Sequence, residues 1–413
     1  MQEKFYSIGN LEQCQKCSIC STVCPMMKVN PAYPGPKQSG PDEERYRMKS
    51  SEFYDEALKF CLNCKRCEVA CPSGVKVADL IQAAKLKYAK HDHVLRNAML
   101  AGTDLMGPVA SAVAPIANFA LSLKPAAAVL DATLAIDHRR QFPKYSGTRF
   151  VSWFNREAAP HQEGFGEYVS YFHGCYVNYN YPRQGQDFVR VMNALGVGVK
   201  LLEKEKCCGV ALMANGDGKG ARRKAEVNIA SIRRSAAEGL KTVVTSTSCA
   251  FMMRDEYHEV LGMDSADIRE SIDTATKFIY ERIESGKAKL VFKKDWQKRV
   301  AYHAPCHLKR LGWEFYTVEL LKMIPGLKFD SLIDNCCGIA GTFGFKKENY
   351  EYSQKIGQPL FDDIRSKAPQ IVVTDCETCK WQIEMSTGAE VLHPVCVLAE
   401  ALDLEEMTRI NRK

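Results

Sequence analysis

Eight of the 18 cysteines in this 413-residue chain fall in two runs of one design. The first is Cys14, Cys17, Cys20 and Cys24 followed by Pro25, and the second is Cys61, Cys64, Cys67 and Cys71 followed by Pro72. In the spacing C-x2-C-x2-C-x3-C-P, three closely spaced thiolates wrap one iron–sulfur cubane and the fourth, held before proline, reaches the other. The runs therefore predict one [4Fe–4S] cluster on Cys14, Cys17, Cys20 and Cys71, and another on Cys61, Cys64, Cys67 and Cys24. Zinc is the competing metal, but zinc sites seldom use three cysteines in successive C-x2-C steps. Met1 to Asn10 carries no apolar core of signal-peptide length, so the clustered thiols read as soft metal ligands rather than as a disulfide framework.

Nine further cysteines lie in two related stretches. Cys306, Cys336, Cys337, Cys376 and Cys379 offer five thiolates, one more than a cubane needs. Vicinal thiolates such as Cys336 and Cys337 can bind neighbouring irons, or bridge them, in an opened cluster. Upstream, Cys175, Cys207, Cys208 and Cys249 repeat the pattern at an offset of about 130 residues. Aligning Cys249 on Cys379 puts Ser246 where the later stretch has Cys376, so one ligand is lost. The earlier four are either a further metal site or buried thiols that merely pack.

Each stretch opens with a strand-like run ending in cysteine, Tyr168 to Cys175 and Arg299 to Cys306. Each then has a helical segment, a Cys-Cys-Gly, another helix, and an apolar strand beginning at Thr242 or Ile371. Apolar strands alternating with helices predict two α/β units with parallel sheets, whose sites lie beyond the carboxyl ends of the strands. The expected architecture is thus an α-helical two-[4Fe–4S] ferredoxin-type domain (1–90), a helical apolar segment and basic linker (91–165), and a duplicated α/β cysteine-rich domain (166–295 and 296–413). The 36 residues between the two N-terminal runs include a Pro/Gly-rich stretch, Asn30 to Pro41, read as an irregular loop.

Leu105 to Leu123 holds 19 residues without a charge, interrupted by Gly107, Pro108, Pro115 and Asn118. Leu105, Val109, Val113, Ile116 and Ala120 recur at helical spacing, which predicts a packing or interfacial helix rather than a span. The linker His138 to Trp153 mixes bases with aromatics and suits either a headgroup boundary or a loop that packs its rings inward. A net charge of +7 without a dense basic stripe argues against nucleic acid. His303, His307 and His393 lie near cysteines or strand ends of the second repeat and are candidate proton relays. With no Rossmann glycine fingerprint, P-loop or G-x-S-x-G, no flavin, nicotinamide or hydrolytic site is expected, and so no substrate-oxidising site of its own.

The paired ferredoxin runs ahead of two Cys-Cys-Gly repeats resemble the cysteine-rich family that includes heterodisulfide reductase B and D subunits and glycolate oxidase iron–sulfur subunits. NPAYPGPKQSGPDEER, LAIDHRRQFPKYS, EKCCGVALMANG, CCGIAGTFGFKKENY and TDCETCKWQIEMSTGAEVLHP more narrowly resemble the C-subunit family of anaerobic glycerol-3-phosphate dehydrogenase. The resemblance implies a non-cubane [4Fe–4S] cluster in the second repeat, about 12 iron atoms per chain in all, and more if the first repeat is loaded. It implies electron relay from a FAD-containing catalytic subunit to menaquinone, beside an accessory subunit. It also implies peripheral attachment to the cytoplasmic face of the inner membrane. Related alternatives are a relay for a lactate or glycolate oxidase and a catalytic subunit of the heterodisulfide reductase kind.

Overall fold

The computed structural model describes residues 10–412 apart from 51, 52, 54 and 89–91. The leader-free reading of Met1 to Asn10 therefore lies, Asn10 apart, outside the described residues. The two N-terminal cysteine loops share one backbone path. Lys16 and Ser18 in the first match Asn63 and Lys65 in the second, all at φ between 54° and 65°. Left-handed residues alternating with right-handed ones turn successive amides toward one point, the arrangement that favours an anion. Each loop runs into a single helical turn, Ile19–Thr22 or Arg66–Val69. Helix Val77–Tyr88 lies beneath them, and its Val77, Leu80, Ile81 and Ala84 pack with Leu11, Leu58 and Cys67. The stretch Asn30 to Pro41 is not irregular throughout: it ends in a π-helical turn, Gln38–Asp42. Pro41 has no amide to donate, and the wider turn accommodates the missing bond.

Leu105 to Leu123 is not one helix but parts of two, Thr103–Ala112 and Ala114–Ser122, bent by 104°. Pro115 starts the second and cannot continue the first. Among the described residues no single helix is long and apolar enough to cross a membrane. The expected stripe faces outward: Leu105 is 76% exposed, Val109 64% and Ile116 71%. The opposite face docks on the first repeat, where Gly107 lies against the Tyr179 ring and Ser111 Oγ donates to the Tyr179 carbonyl at 3.5 Å. The linker that follows turns its aromatics and one base inward, while His138, Arg139, Lys144 and Arg149 stay exposed. Arg140 is buried and donates to Ser353 Oγ at 2.8 Å, to Gln382 Oε1 at 2.5 Å and to the Gly344 carbonyl. Phe150 is fully buried against Tyr171 and His173.

Each repeat builds a four-stranded parallel sheet. The first holds β1 (Glu167–Phe172), β2 (Val197–Leu201), β3 (Lys241–Val244) and β4 (Ile272–Thr274) in the order β2-β1-β3-β4. The second holds β5 (Lys298–Tyr302), β6 (Leu327–Ser331), β7 (Ile371–Val373) and β8 (Val391–Leu392) in the order β6-β5-β7-β8. The orders are the same, as duplication requires. In both, the strand order reverses between the first and third strands, and a crevice opens at their carboxyl ends. Helix Pro182–Ala194, after β1, packs on Pro394–Ala401, after β8; Glu314–Lys322, after β5, packs on Ala275–Glu284, after β4. This reciprocal exchange is a pseudo-two-fold, and it merges both repeats into one core containing Val169, Phe188, Val300, Leu320 and Val395.

Candidate iron–sulfur centres

Cys14, Cys17, Cys20 and Cys71 line one small cavity, together with Lys37, Val75 and Val77. Cys24, Cys61, Cys64 and Cys67 line another, together with Tyr33, Pro36 and Ala78. The fourth cysteine of each run thus turns toward the other run's loop. Backbone and side-chain amides reach the sulfurs: Val75 N donates to Cys71 Sγ at 3.3 Å and Gln82 Nε2 to Cys61 Sγ at 3.8 Å. The first set is the shallower, with Cys17 exposed, whereas Cys24 and Cys67 are buried. Burial pushes the Cys24 thiol up to about 11 and raises Cys64 and Cys67 as well. Buried thiols do not ionise together without compensating positive charge, so the donor set fits iron, which would supply it.

In the second repeat, Cys306 follows β5, Cys336 and Cys337 follow β6, and Cys376 and Cys379 follow β7. All five approach the same crevice. Cys337 Sγ lies 3.4 Å from Cys379 Sγ, and the free thiols of Cys306 and Cys336, and of Cys376 and Cys379, are in hydrogen-bond contact. Hydrogen bonds from Cys336 and Cys379 draw the Cys337 thiol down to about 5. Gly338, at φ 87°, is required by the turn: a Cβ there would collide with the Ser353 carbonyl. In the first repeat a thiol chain runs from Cys175 to Cys207, Cys208 and Cys249. The Ser246 hydroxyl accepts from Cys249 N at 3.3 Å and caps the following helix.

The sites follow one another through the molecule. Cys64 and Cys306 are close enough for each charge to oppose the other's ionisation, and Arg66 sits beside Cys306 and Cys336 while pairing with Asp334 at 2.5 Å. His307 hydrogen-bonds the Asn63 carbonyl of the second N-terminal cysteine loop at 3.0 Å and stacks on Phe251. His303 is buried, its Nε2 has no hydrogen-bond partner among the described residues, and one of its ring nitrogens lies within 4.8 Å of Cys337 and Cys379 sulfur. Burial lowers it to about 4, which keeps the ring neutral. His393 Nδ1 accepts from Val395 N at 3.1 Å and caps helix Pro394–Ala401.

Some residues that shape these sites carry no sequence signal. Lys65 is fully buried between Cys64 and Cys67 in the second cysteine loop and pairs with Asp79, with Glu68 at 3.8 Å and with Glu256 of the first repeat at 3.2 Å. Phe251 adds its ring face at 5.5 Å. Asp104, on the outward apolar helix, accepts from Cys207 N at 3.1 Å and pairs with Lys224 at 3.0 Å.

A cysteine-rich domain family matches residues 169–254 and 300–384, and a 4Fe–4S dicluster domain family matches residues 10–75. The chain is 52% identical over 394 residues to the C subunit of the anaerobic glycerol-3-phosphate dehydrogenase of Escherichia coli (strain K12), covering 95% of this chain and 99% of that one. It is 25% identical to the B subunit of the fumarate reductase (CoM/CoB) of Methanothermobacter marburgensis, over 97% of this chain and 74% of that one. It is 24% identical to the glycolate oxidase iron–sulfur subunit of Escherichia coli (strain K12), over 96% and 95% respectively.

Proposed function

The chain belongs to the family of the C subunit of anaerobic glycerol-3-phosphate dehydrogenase, and on that premise we propose that it carries electrons from a glycerol-3-phosphate-oxidising flavoprotein to menaquinone. Iron–sulfur clusters, when bound, exchange single electrons, which lets a flavin release a pair stepwise. Cys14, Cys17, Cys20 and Cys71 would hold one cubane, and Cys61, Cys64, Cys67 and Cys24 the other. Cys306, Cys336, Cys337, Cys376 and Cys379 would hold a non-cubane cluster. The observation that carries this reading is contiguity: a shallow thiol set, a buried one, and a third reached through Cys64 and Cys306. Residues 1–90 and 91–165 and the repeats 166–295 and 296–413 are the working division of the chain.

The flavoprotein and an accessory subunit would dock where Cys17 reaches the surface. Val94, Leu95, Leu105, Val109, Ile116 and Phe119, on three successive helices, are exposed and would serve peripheral contact with the cytoplasmic side of the membrane. The test is to isolate the native complex anaerobically, identify its flavoprotein, and ask which substrate reduces it. Reduction by sn-glycerol 3-phosphate, with a menaquinone analogue as acceptor, is the expected result. Reduction by lactate or glycolate instead would reassign the partner.

A further inference from the structure

The turns after β3 and β7 trade side chains across the pseudo-two-fold. Thr247 N and Oγ1 both donate to the Asp375 carbonyl, at 3.2 and 2.8 Å. Ser248 Oγ lies 3.6 Å from Cys376 Sγ, so the first repeat touches the second repeat's thiols. The reverse contact is made by Glu377. Its Oε1 accepts from Ser246 Oγ at 2.8 Å. Ser246 occupies the position that Cys376 fills in the second repeat, so a carboxylate from one repeat stands where the other repeat lacks a thiolate.

Resting on the reading of the second repeat as an iron–sulfur site, we propose that the first repeat is a complete cluster site with five donors, Cys175, Cys207, Cys208, Cys249 and the Glu377 carboxylate lent by the second repeat. Four thiols are already in contact there, and the vicinal pair is oriented as in the second repeat by a glycine at positive φ, 90° at Gly209 and 87° at Gly338. Glu377 is close enough to Cys175 and Cys249 for its charge to be felt by both. Its Oε2 is shielded from solvent and, among the described residues, has no hydrogen-bond partner, while Oε1 accepts from the Ser246 hydroxyl. A buried carboxyl with no salt-bridge partner among the described residues stays protonated unless a metal compensates its charge, so a bound metal is what would let Glu377 serve as a carboxylate donor. Oxygen and sulfur donors together suit iron, and adjacent cysteines address neighbouring metal atoms rather than one tetrahedral ion.

The experiment measures iron, sulfide and zinc per chain, with Mössbauer spectra, on the anaerobically purified full chain and its variants. The wild type should hold about 16 iron atoms, four beyond two cubanes and the second-repeat cluster. Cys207→Ser should lose about four of these, and Glu377→Gln the same four, with the other spectral components unchanged. Glu377→Gln combined with Ser246→Cys rebuilds five thiolates and should restore them, which a folding defect at Glu377 would not allow. About 12 iron atoms in the wild type, unchanged by Cys207→Ser, would overturn the site. Zinc in place of the four irons would overturn the cluster, and a Glu377→Gln protein identical to wild type in iron and spectra would overturn the fifth donor. A wrong partner or substrate in the functional reading would leave all these counts untouched.

Discussion

Replacing Lys65 with methionine should destabilise the docking of the ferredoxin-type region on the first repeat by about 3–5 kcal/mol, the cost of breaking a buried ion pair. Lys65 is fully buried, with Glu256 at 3.2 Å, Glu68 at 3.8 Å and Asp79 nearer still. Methionine keeps the volume and removes the charge. Glu68 retains Arg310 at 3.0 Å, and Glu256 Oε1 retains Asn63 at 2.6 Å, but Asp79 and Glu256 lose their cation. With an unfolding entropy of about 2.1 cal/mol/K per residue, a chain of this length that melts as one unit should lose about 4–6 °C in midpoint. Burial works against the lysine's charge, but Asp79, Glu68 and Glu256 outweigh it and hold its pKa well above the ordinary lysine range. A raised pKa contributes stability that is complete below the unfolded value, about 10.4, and is lost only as pH rises through the folded one. The effect is therefore fully present at pH 7. The assay is thermal unfolding of the cluster-loaded protein under argon, with hydrogen exchange followed at 56–88 and 252–260. Adding Glu256→Gln should recover part of the loss, because one uncompensated carboxylate disappears. A shift under about 1 °C for Lys65→Met, with unchanged exchange in both segments, would show that this buried charge cluster does not hold the two regions together.

Cys376→Ser should remove iron from the second repeat and block menaquinone-analogue turnover while substrate still reduces flavin and both cubanes; normal turnover would make the repeats a docking module. Glu43 is buried beside Arg47, and burial raises its carboxyl to about 8. Stability should then fall as pH rises from about 4 to about 8, by at most about 1.4 kcal/mol per pH unit, and Glu43→Gln should flatten that slope in pH-dependent melting curves. Wild-type protein should leave membranes in high salt or alkaline carbonate. Ile116→Glu with Phe119→Glu should shift it to the soluble fraction without either treatment, and release of the wild type by detergent alone would mean deeper insertion.

The ligand chemistry was legible in the sequence because it is local. Cysteines two and three residues apart, vicinal pairs followed by glycine, and apolar strands ending just before Cys175, Ser246, Cys306 and Cys376 all lie within short windows. The iron–sulfur character, the duplicated parallel sheets and the helical N-terminal region follow from such windows, and the family matches and sheet orders bear them out. What could not be read was orientation and long-range pairing. Leu105, Val109 and Ile116 make the same helical stripe whether it faces a core or solvent, and only docking through Gly107 decides it. The linker holding Arg140 suited a headgroup boundary as well as an inward-packing loop, because Ser353 and Gln382, its partners, lie more than 200 residues away. Lys65 with Glu256, and Ser246 with Glu377, are likewise products of packing between elements that no local pattern connects.

Electron relay through this chain requires the thiol sets to form one continuous path from the surface at Cys17 to the second repeat. Low-temperature paramagnetic resonance of the fully reduced, iron-replete chain reads that continuity. Signals split and broadened by magnetic interaction between neighbouring centres are expected, and they should simplify when Cys64→Ser removes the middle one. Spectra equal to the sum of isolated clusters, indifferent to that substitution, would contradict a continuous path.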